Sequence, residues 1–359
     1  MKAAILKAIG APLSVEDVAE PTLGTGEVIV DVVATGVLSY AHEVFSGKRN
    51  YPMELPVIPG SGSIGRVRAF GPDATRLKVG DWVFCDPTVR CRDEALAPDI
   101  VLQGLIAPTE GAWRLQRYFH DGGFAEQIRV PTENATRIGE IEAADAGRWC
   151  ALGLLLVPYG GLLATGLRAG QTVVVNGATG RFGGAGVAVA LAMGAGCVVA
   201  TGRNSEALAE LERRFGARVR TVRMAGDEAD DRARIVAAAP GPIDVVLDLL
   251  PPEASIAQVR TGILTVRPNG QIVLMGGVGM AGGPGLDLPY PWIMRNNITL
   301  RGQWMYPREA VLGMAALIRA GLVDLDQFTT TDFALADVNA AVEHAATKAG
   351  PFRSTIIRP

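Results

Sequence analysis

Residues 171–204 read QTVVVNGATGRFGGAGVAVALAMGAGCVVATGRN. An apolar run at 172–175 leads into glycines at 177, 180 and 183. A long Ala/Val/Leu segment follows, and a second apolar run stops at Gly202 and Arg203. That order predicts a strand, a tight turn, a helix and a second strand. Each glycine has a reason in such a unit: Gly177 permits the turn, Gly180 lets the backbone approach phosphates, and Gly183 lets the helix pack on the sheet. The bare N–H groups and positive dipole end at the helix start attract a pyrophosphate. The turn Gly177, Ala178, Thr179, Gly180, Arg181, Phe182 and Gly183 is therefore the candidate site for a nicotinamide or flavin dinucleotide. The strand before it and the helix after it are what give three glycines this meaning. The competing reading is a turn of some other α/β protein.

Outward from this unit the chain changes character. From about 154 to 303, apolar runs at 172–176, 198–201, 219–222, 245–249, 271–276 and 298–302 alternate with helical segments, the pattern of parallel βαβ units. Residues 1–150 hold short runs bounded by Gly and Pro, at 3–7, 27–34, 62–70, 82–84 and 125–130, which suits a β-barrel-like domain. Residues 88–118 show no period and predict an irregular lobe. Helices are expected at 307–320 and 335–346 and a strand at 354–357. The expected division is 1–153 with 304–359 as one domain and 154–303 as the other.

With 359 residues, 48% hydrophobic and 20% charged, the chain can bury a sizeable core in two domains. A net charge of −3 offers no basic surface for nucleic acid. The longest apolar segment is read as 185–193, short of the ~20 residues that span a bilayer, and the N-terminus lacks a secretory h-region. A soluble cytoplasmic protein without membrane partners is the expectation. Cys85, Cys91, Cys150 and Cys197 are scattered, with no C-x-x-C pair, and read as buried small apolar residues.

The end of the second strand selects the cofactor. An NAD site wants a carboxylate there for the ribose 2′-hydroxyl. Thr201, Gly202, Arg203 and Asn204 stand there instead, and the first carboxylate is Glu206. Gly202 is expected to leave room for a 2′-phosphate and Arg203 to pair with it. With Asn204 as a further contact, this predicts NADP(H). The alternative for Arg203 is a solvated surface cation.

GEVIVDVVATGV at 26–37, PVIPGSGSIGRVRAFGPDATRLKVGDWVF at 56–84 and GGFAEQIRVP at 122–131 precede the glycine turn; DVVLDLL at 244–250 and GQIVLMGG at 270–277 follow it. In this order they resemble the medium-chain dehydrogenase/reductase superfamily, which includes zinc alcohol dehydrogenases and zinc-free quinone and enoyl reductases. The resemblance implies an α/β fold: a Rossmann doubly wound parallel sheet plus a GroES-like β-barrel catalytic domain. It adds Gly276 and Trp304 to the expected cofactor contacts. It also implies a homodimer or homotetramer that pairs edge strands, here 297–303.

Zinc-dependent relatives carry a cysteine in G-[IV]-C, a histidine in G-H-E and a third ligand shortly before the coenzyme domain. These positions hold Leu38, Ser61 and approximately Gly153, a set unfit for Zn²⁺. The four-cysteine structural lobe is also missing, so no metal is expected. Hydride transfer then needs a hydrogen-bond donor or an easily reduced substrate. Tyr40 stands where the relatives place a Ser or Thr that relays the substrate proton; its alternative is a pocket-lining aromatic. His42 and Glu43 on the same turn, Ser61, and His120 in a loop expected beside the active site are further candidates, each with a structural reading beside it. Trp113, Tyr118, Trp292 and Trp304 suggest a bulky or planar apolar small-molecule substrate.

The leading expectation is a zinc-independent NADP(H)-dependent oxidoreductase that transfers hydride directly to an activated alkene (enone or enoyl) or a quinone. The second is a zinc-free carbonyl reductase or alcohol dehydrogenase with Tyr40 as proton donor. The third is an NADPH-binding protein with little catalysis, structural or redox-sensing.

Overall fold

The structure is a computed structural model and describes every residue except 281 and 349. It divides into two units: residues 1–153 with most of 325–359, and residues 154–324 with 350–352.

The second unit is built on six parallel strands. Across the sheet they run Val219–Arg223, Cys197–Gly202, Thr172–Asn176, Val245–Asp248, Gln271–Leu274 and Thr299–Gly302. The order reverses beside Thr172–Asn176, so the sheet is doubly wound, with its switch point between that strand and Val245–Asp248. Parallel strands covered by helices on both faces need apolar residues at every position. Thr172–Asn176 and Cys197–Gly202 are accordingly buried throughout. Val174, Val199, Val246 and Ile272, one from each of four strands, pack with Ile235 and Ile263 from helices. Thr299–Gly302 forms one sheet edge and is exposed at all its residues.

The first unit carries a seven-stranded sheet centred on Glu27–Val37. That strand pairs antiparallel with Ser63–Phe70, Gln127–Pro131 and Arg353–Arg358. Alternate residues Val28, Val30 and Val32 face a core with Val67, Val83, Ile128 and Val130, as the period of two along a strand requires.

Three expectations are corrected here. Residues 88–118 are ordered: Thr88–Arg90 pairs with Ile100–Leu102, and the helix Glu110–Tyr118 packs Ala112 against Val89 and Val101. Three-residue strands are too short to show a period. Residues 304–324 group with the second unit, not the first. The backbone of Tyr306 lies so close to Gly160 that a Cβ there would meet it at 2.7 Å, and the Tyr159 hydroxyl lies 2.6 Å from where a Cβ on Gly313 would sit. The longest apolar stretch is not 185–193. The helical segment Ala143–Ala164 is long and apolar enough by length and composition to cross a membrane, and 67% of its most apolar 18-residue window is buried inside the fold.

Candidate functional site

In the second unit the glycine turn follows the strand Thr172–Asn176 and opens the helix Arg181–Ala192. Gly177 has φ +86°, a left-handed value that favours glycine. Ala178 N donates to Thr201 O at 2.8 Å and Gly180 N to Gly177 O at 3.0 Å, which closes the turn. A Cβ on Gly183 would lie 2.0 Å from Gly177 O, so glycine there is a packing need. Gly180 differs, because a Cβ there would meet nothing nearer than Gly177 O at 3.4 Å. The fold itself does not demand glycine at 180. Gly180 is the helix N-cap and brings no side chain to the first N–H groups, which leaves a bare cradle of the kind that suits a pyrophosphate.

The strand Cys197–Gly202 ends beside this turn. A Cβ on Gly202 would sit 2.3 Å from Thr179 Cγ2, so glycine there makes room for the Thr179 side chain. Asn204 has a structural role, since its side chain accepts from Ala207 N at 3.1 Å and caps the helix Ser205–Phe215. Arg203 is exposed, and among the described residues no carboxylate pairs with it. Arg223, which the sequence reading missed, ends the neighbouring strand opposite Gly202 and is likewise exposed. Only strand register brings these two cations to one end of the sheet.

A buried polar chain links three strand ends. Thr201 Oγ1 donates to Asn176 Oδ1 at 2.9 Å, and Asn176 Nδ2 donates to Asp248 Oδ1 at 2.8 Å. Asn176 and Asp248 are register partners at the switch point. Burial pushes the Asp248 carboxyl up to about 7, although hydrogen bonds from Asn176 and the Leu250 backbone favour its charge. A Cβ on Gly276 would lie 2.6 Å from Asp248 Oδ2, so this glycine makes room for the carboxyl. Trp304 is 49% exposed. By contrast Trp292 packs against the sheet core and Trp113 against the lobe. Tyr118 lies under the Arg129 guanidinium. Of the aromatics expected to wall a substrate, Trp304 is the one on this unit that stands clear of the core.

In the first unit, Tyr40 is the N-cap residue of the short helix Ala41–Phe45. The Arg49 guanidinium stacks on its ring, 4.3 Å from the centroid, and donates to Glu43 Oε2 from Nε at 3.1 Å and from a terminal nitrogen at 2.9 Å. His42 is exposed, and among the described residues its side chain has no hydrogen bond. Ser61 stands between Gly60 and Gly62, both with positive φ. The buried hydroxyl of this turn belongs instead to Ser63, which donates to Thr35 Oγ1 at 3.2 Å. His120 Nδ1 lies 2.8 Å from Asp121 Oδ1, which also accepts from Ile58 N at 3.0 Å. The Asp121 hydrogen bond raises the His120 pKa against the opposing effect of burial. Phe124 N donates to Pro59 O at 2.9 Å, so the loops holding Ser61 and His120 are tied together.

The positions of zinc ligands in zinc-type relatives fit no metal. Leu38 is aliphatic and Gly153 has no side chain to offer an ion; the nearby Cys150 thiol donates to Ala146 O at 3.5 Å, and burial pushes its pKa up to about 12. Among the described residues no group of three His, Cys, Asp or Glu side chains is placed to hold an ion.

Two family models match in chain order: the alcohol dehydrogenase GroES-like domain over residues 24–140, and the zinc-binding dehydrogenase model over residues 182–320. An alcohol dehydrogenase of Geobacillus stearothermophilus is 29% identical over 77% of both chains. A sorbitol dehydrogenase of Bacillus subtilis is 26% identical over 96% of this chain and 93% of its own. The solved structure of an alcohol dehydrogenase from Thermus sp. ATN1 has the same fold, with TM-score 0.82 at 22% identity, over 100% of this chain and 99% of that one.

Proposed function

Because this chain belongs to the medium-chain dehydrogenase/reductase superfamily of oxidoreductases, we propose that it is a zinc-independent, NADP(H)-dependent reductase of alkenes conjugated to a carbonyl, or of quinones. One observation carries the reading: Leu38, Ser61 and Gly153 occupy the positions of a metal ligand set and leave no Lewis acid to polarise an unactivated carbonyl. Enones and quinones accept hydride without one.

The residues of the second unit fit a dinucleotide. The turn 177–183 would hold the pyrophosphate, and Arg203, with Arg223 beside it, would pair with the 2′-phosphate. When bound, the reduced nicotinamide supplies the hydride. The chain's own part is to hold the phosphates through the second unit and, from the first, to offer Tyr40 Oη as a hydrogen-bond donor to the substrate oxygen.

A second reading is a carbonyl reductase or alcohol dehydrogenase in which Tyr40 also delivers the proton. The stacking of Arg49 on Tyr40 and the names of the relatives favour it. Self-association through the exposed edge Thr299–Gly302, in a dimer or tetramer, fits either reading.

The test is turnover of NADPH with cyclohexenone, a para-benzoquinone and cyclohexanone, alongside metal analysis of the purified protein. Reduction of the first two by zinc-free protein is expected. Cyclohexanone as the sole substrate would favour the second reading, and turnover that tracks bound zinc would refute both. NADPH binding without turnover of any of them would point to a nucleotide-binding protein with little catalysis.

A further inference from the structure

We propose that Arg49 is a positioning residue that holds the Tyr40 ring for hydrogen bonding to a substrate oxygen, and that Glu43 holds Arg49. The inference rests on the reading above in which Tyr40 is the donor.

Capping does not tie down the Tyr40 side chain. The residue has φ −102° and ψ 11° at the start of a five-residue helix, and its side chain makes no capping hydrogen bond. Its ring is packed by residues that follow in the same loop. Gly47, at φ +81°, turns the chain, and its N–H donates to Val44 O at 3.1 Å. The loop then returns Arg49 and Tyr51 to the ring. The guanidinium covers one face, 4.3 Å from the centroid. Tyr51 meets the ring edge-on, with centroids 6.1 Å apart and planes at 67°.

Arg49 is itself fixed at both ends. Its backbone N–H donates to Glu43 O at 2.9 Å, and its guanidinium makes the two bonds to the Glu43 carboxylate. Its side chain is only 17% exposed. Burial works against its charge, yet hydrogen bonds with Tyr51 and Glu43 outweigh this and raise its pKa. A long flexible cation loses rotamer freedom when held this way. What it gains is a rigid plane matched to a ring face, which lysine, a compact hydrated charge, does not offer. Lys48 also approaches Glu43, at 3.8 Å, but its side chain is mostly in solvent. A stitch that merely closes the loop would need the ion pair alone. The stack on Tyr40 is the part that such a role leaves unexplained.

The experiment is a double-mutant cycle on the full chain with NADPH, using cyclohexenone and cyclohexanone as probes, together with a crystal structure of the Arg49→Met variant bound to NADPH. Arg49→Met is expected to lower kcat roughly 10- to 100-fold, the scale of a small misplacement of a reacting group, and to leave the NADPH dissociation constant unchanged. Added to Tyr40→Phe it should cost nothing further, because the hydroxyl it orients is gone. Arg49→Lys should not restore the rate, and the crystal should show Tyr40 in more than one rotamer. An equal loss in the Tyr40→Phe background, or a single unchanged Tyr40 rotamer, overturns the proposal. A harmless Tyr40→Phe defeats the donor reading instead, while the crystal still decides whether Arg49 holds the ring. Should Arg49→Met fail to fold, Glu43→Gln releases the guanidinium more gently, and the same rotamer and rate criteria apply.

Discussion

Replacing Asp248 with asparagine should flatten the dependence of stability on pH. Asp248 ends the strand Val245–Asp248, is 2% exposed, and has no cationic partner among the described residues. Its carboxyl rises from 3.8 to about 7, first because burial penalises the charged form. The folded state therefore binds this proton more tightly than the unfolded chain does. The resulting stabilisation is fully present below the unfolded pKa, shrinks as pH climbs between the two values, and is gone above the folded one. Between about pH 5 and pH 7 the unfolded group is ionised and the folded one is protonated. Two pH units at ~1.36 kcal/mol each make a loss of about 2.7 kcal/mol. The substituted amide cannot ionise, and its carbonyl can still accept from Asn176 Nδ2. At low pH the variant should be less stable, because its NH₂ group would face the Leu250 N–H. Urea unfolding of both proteins at about pH 5 and pH 8 measures the change. The difference between them should shift in favour of Asp248→Asn by roughly 2–3 kcal/mol across that range. A difference that stays constant with pH would refute the argument, since it would mean that the buried carboxyl titrates alike in both states.

Arg203→Asp should move the ratio of kcat/KM for NADPH over NADH toward NADH by about 100-fold, as the loss of one phosphate pair and the gain of a ribose partner imply; an unchanged ratio removes Arg203 from the cofactor site. The two glycines of the turn should separate. Gly183→Ala places a Cβ 2.0 Å from Gly177 O and is expected to destabilise the chain by ~2 kcal/mol or more in thermal unfolding. Gly180→Ala meets no close atom of the protein, so its melting temperature should hold while NADPH affinity, read by fluorescence titration, falls about tenfold. Equal effects of the two substitutions on stability would contradict the distinct roles given to them.

How far the sequence could be read follows from the range of each interaction. The six parallel strands were legible from their alternation with helical segments, the inner ones as apolar runs that stand out from their neighbours, and all six appear within a few residues of the expected bounds. Thr88–Arg90 and Ile100–Leu102 were not, because pairing between three-residue segments is a tertiary matter. The turn around Gly177 was visible as a pattern that gave Gly177 to the turn, Gly183 to packing, and Gly180, Gly202 and Gly276 to the cofactor. In the structure Gly202 yields to Thr179, Gly276 to Asp248 and Gly183 to the Gly177 carbonyl, which leaves Gly180 as the glycine that the protein's own atoms do not explain. Asn204 likewise proved to be a helix cap.

Local chemistry is what a sequence by itself determines. Leu38 and Gly153 bring no ligating side chain wherever they are placed, a lone Ser61 is a poor zinc ligand, and the absence of a carboxylate from 201–204 follows from reading the letters. Placement in space is different, because it depends on register and on loops that return. Arg223 stands opposite Gly202 because two strands pair with a particular offset. Arg49 covers Tyr40 because Gly47 turns the loop back on itself. Asp248 becomes a carboxyl that holds its proton near neutrality because the fold buries the strand end that carries it. Each of these depends on burial or pairing between residues that the chain keeps apart, and tertiary structure alone supplies that.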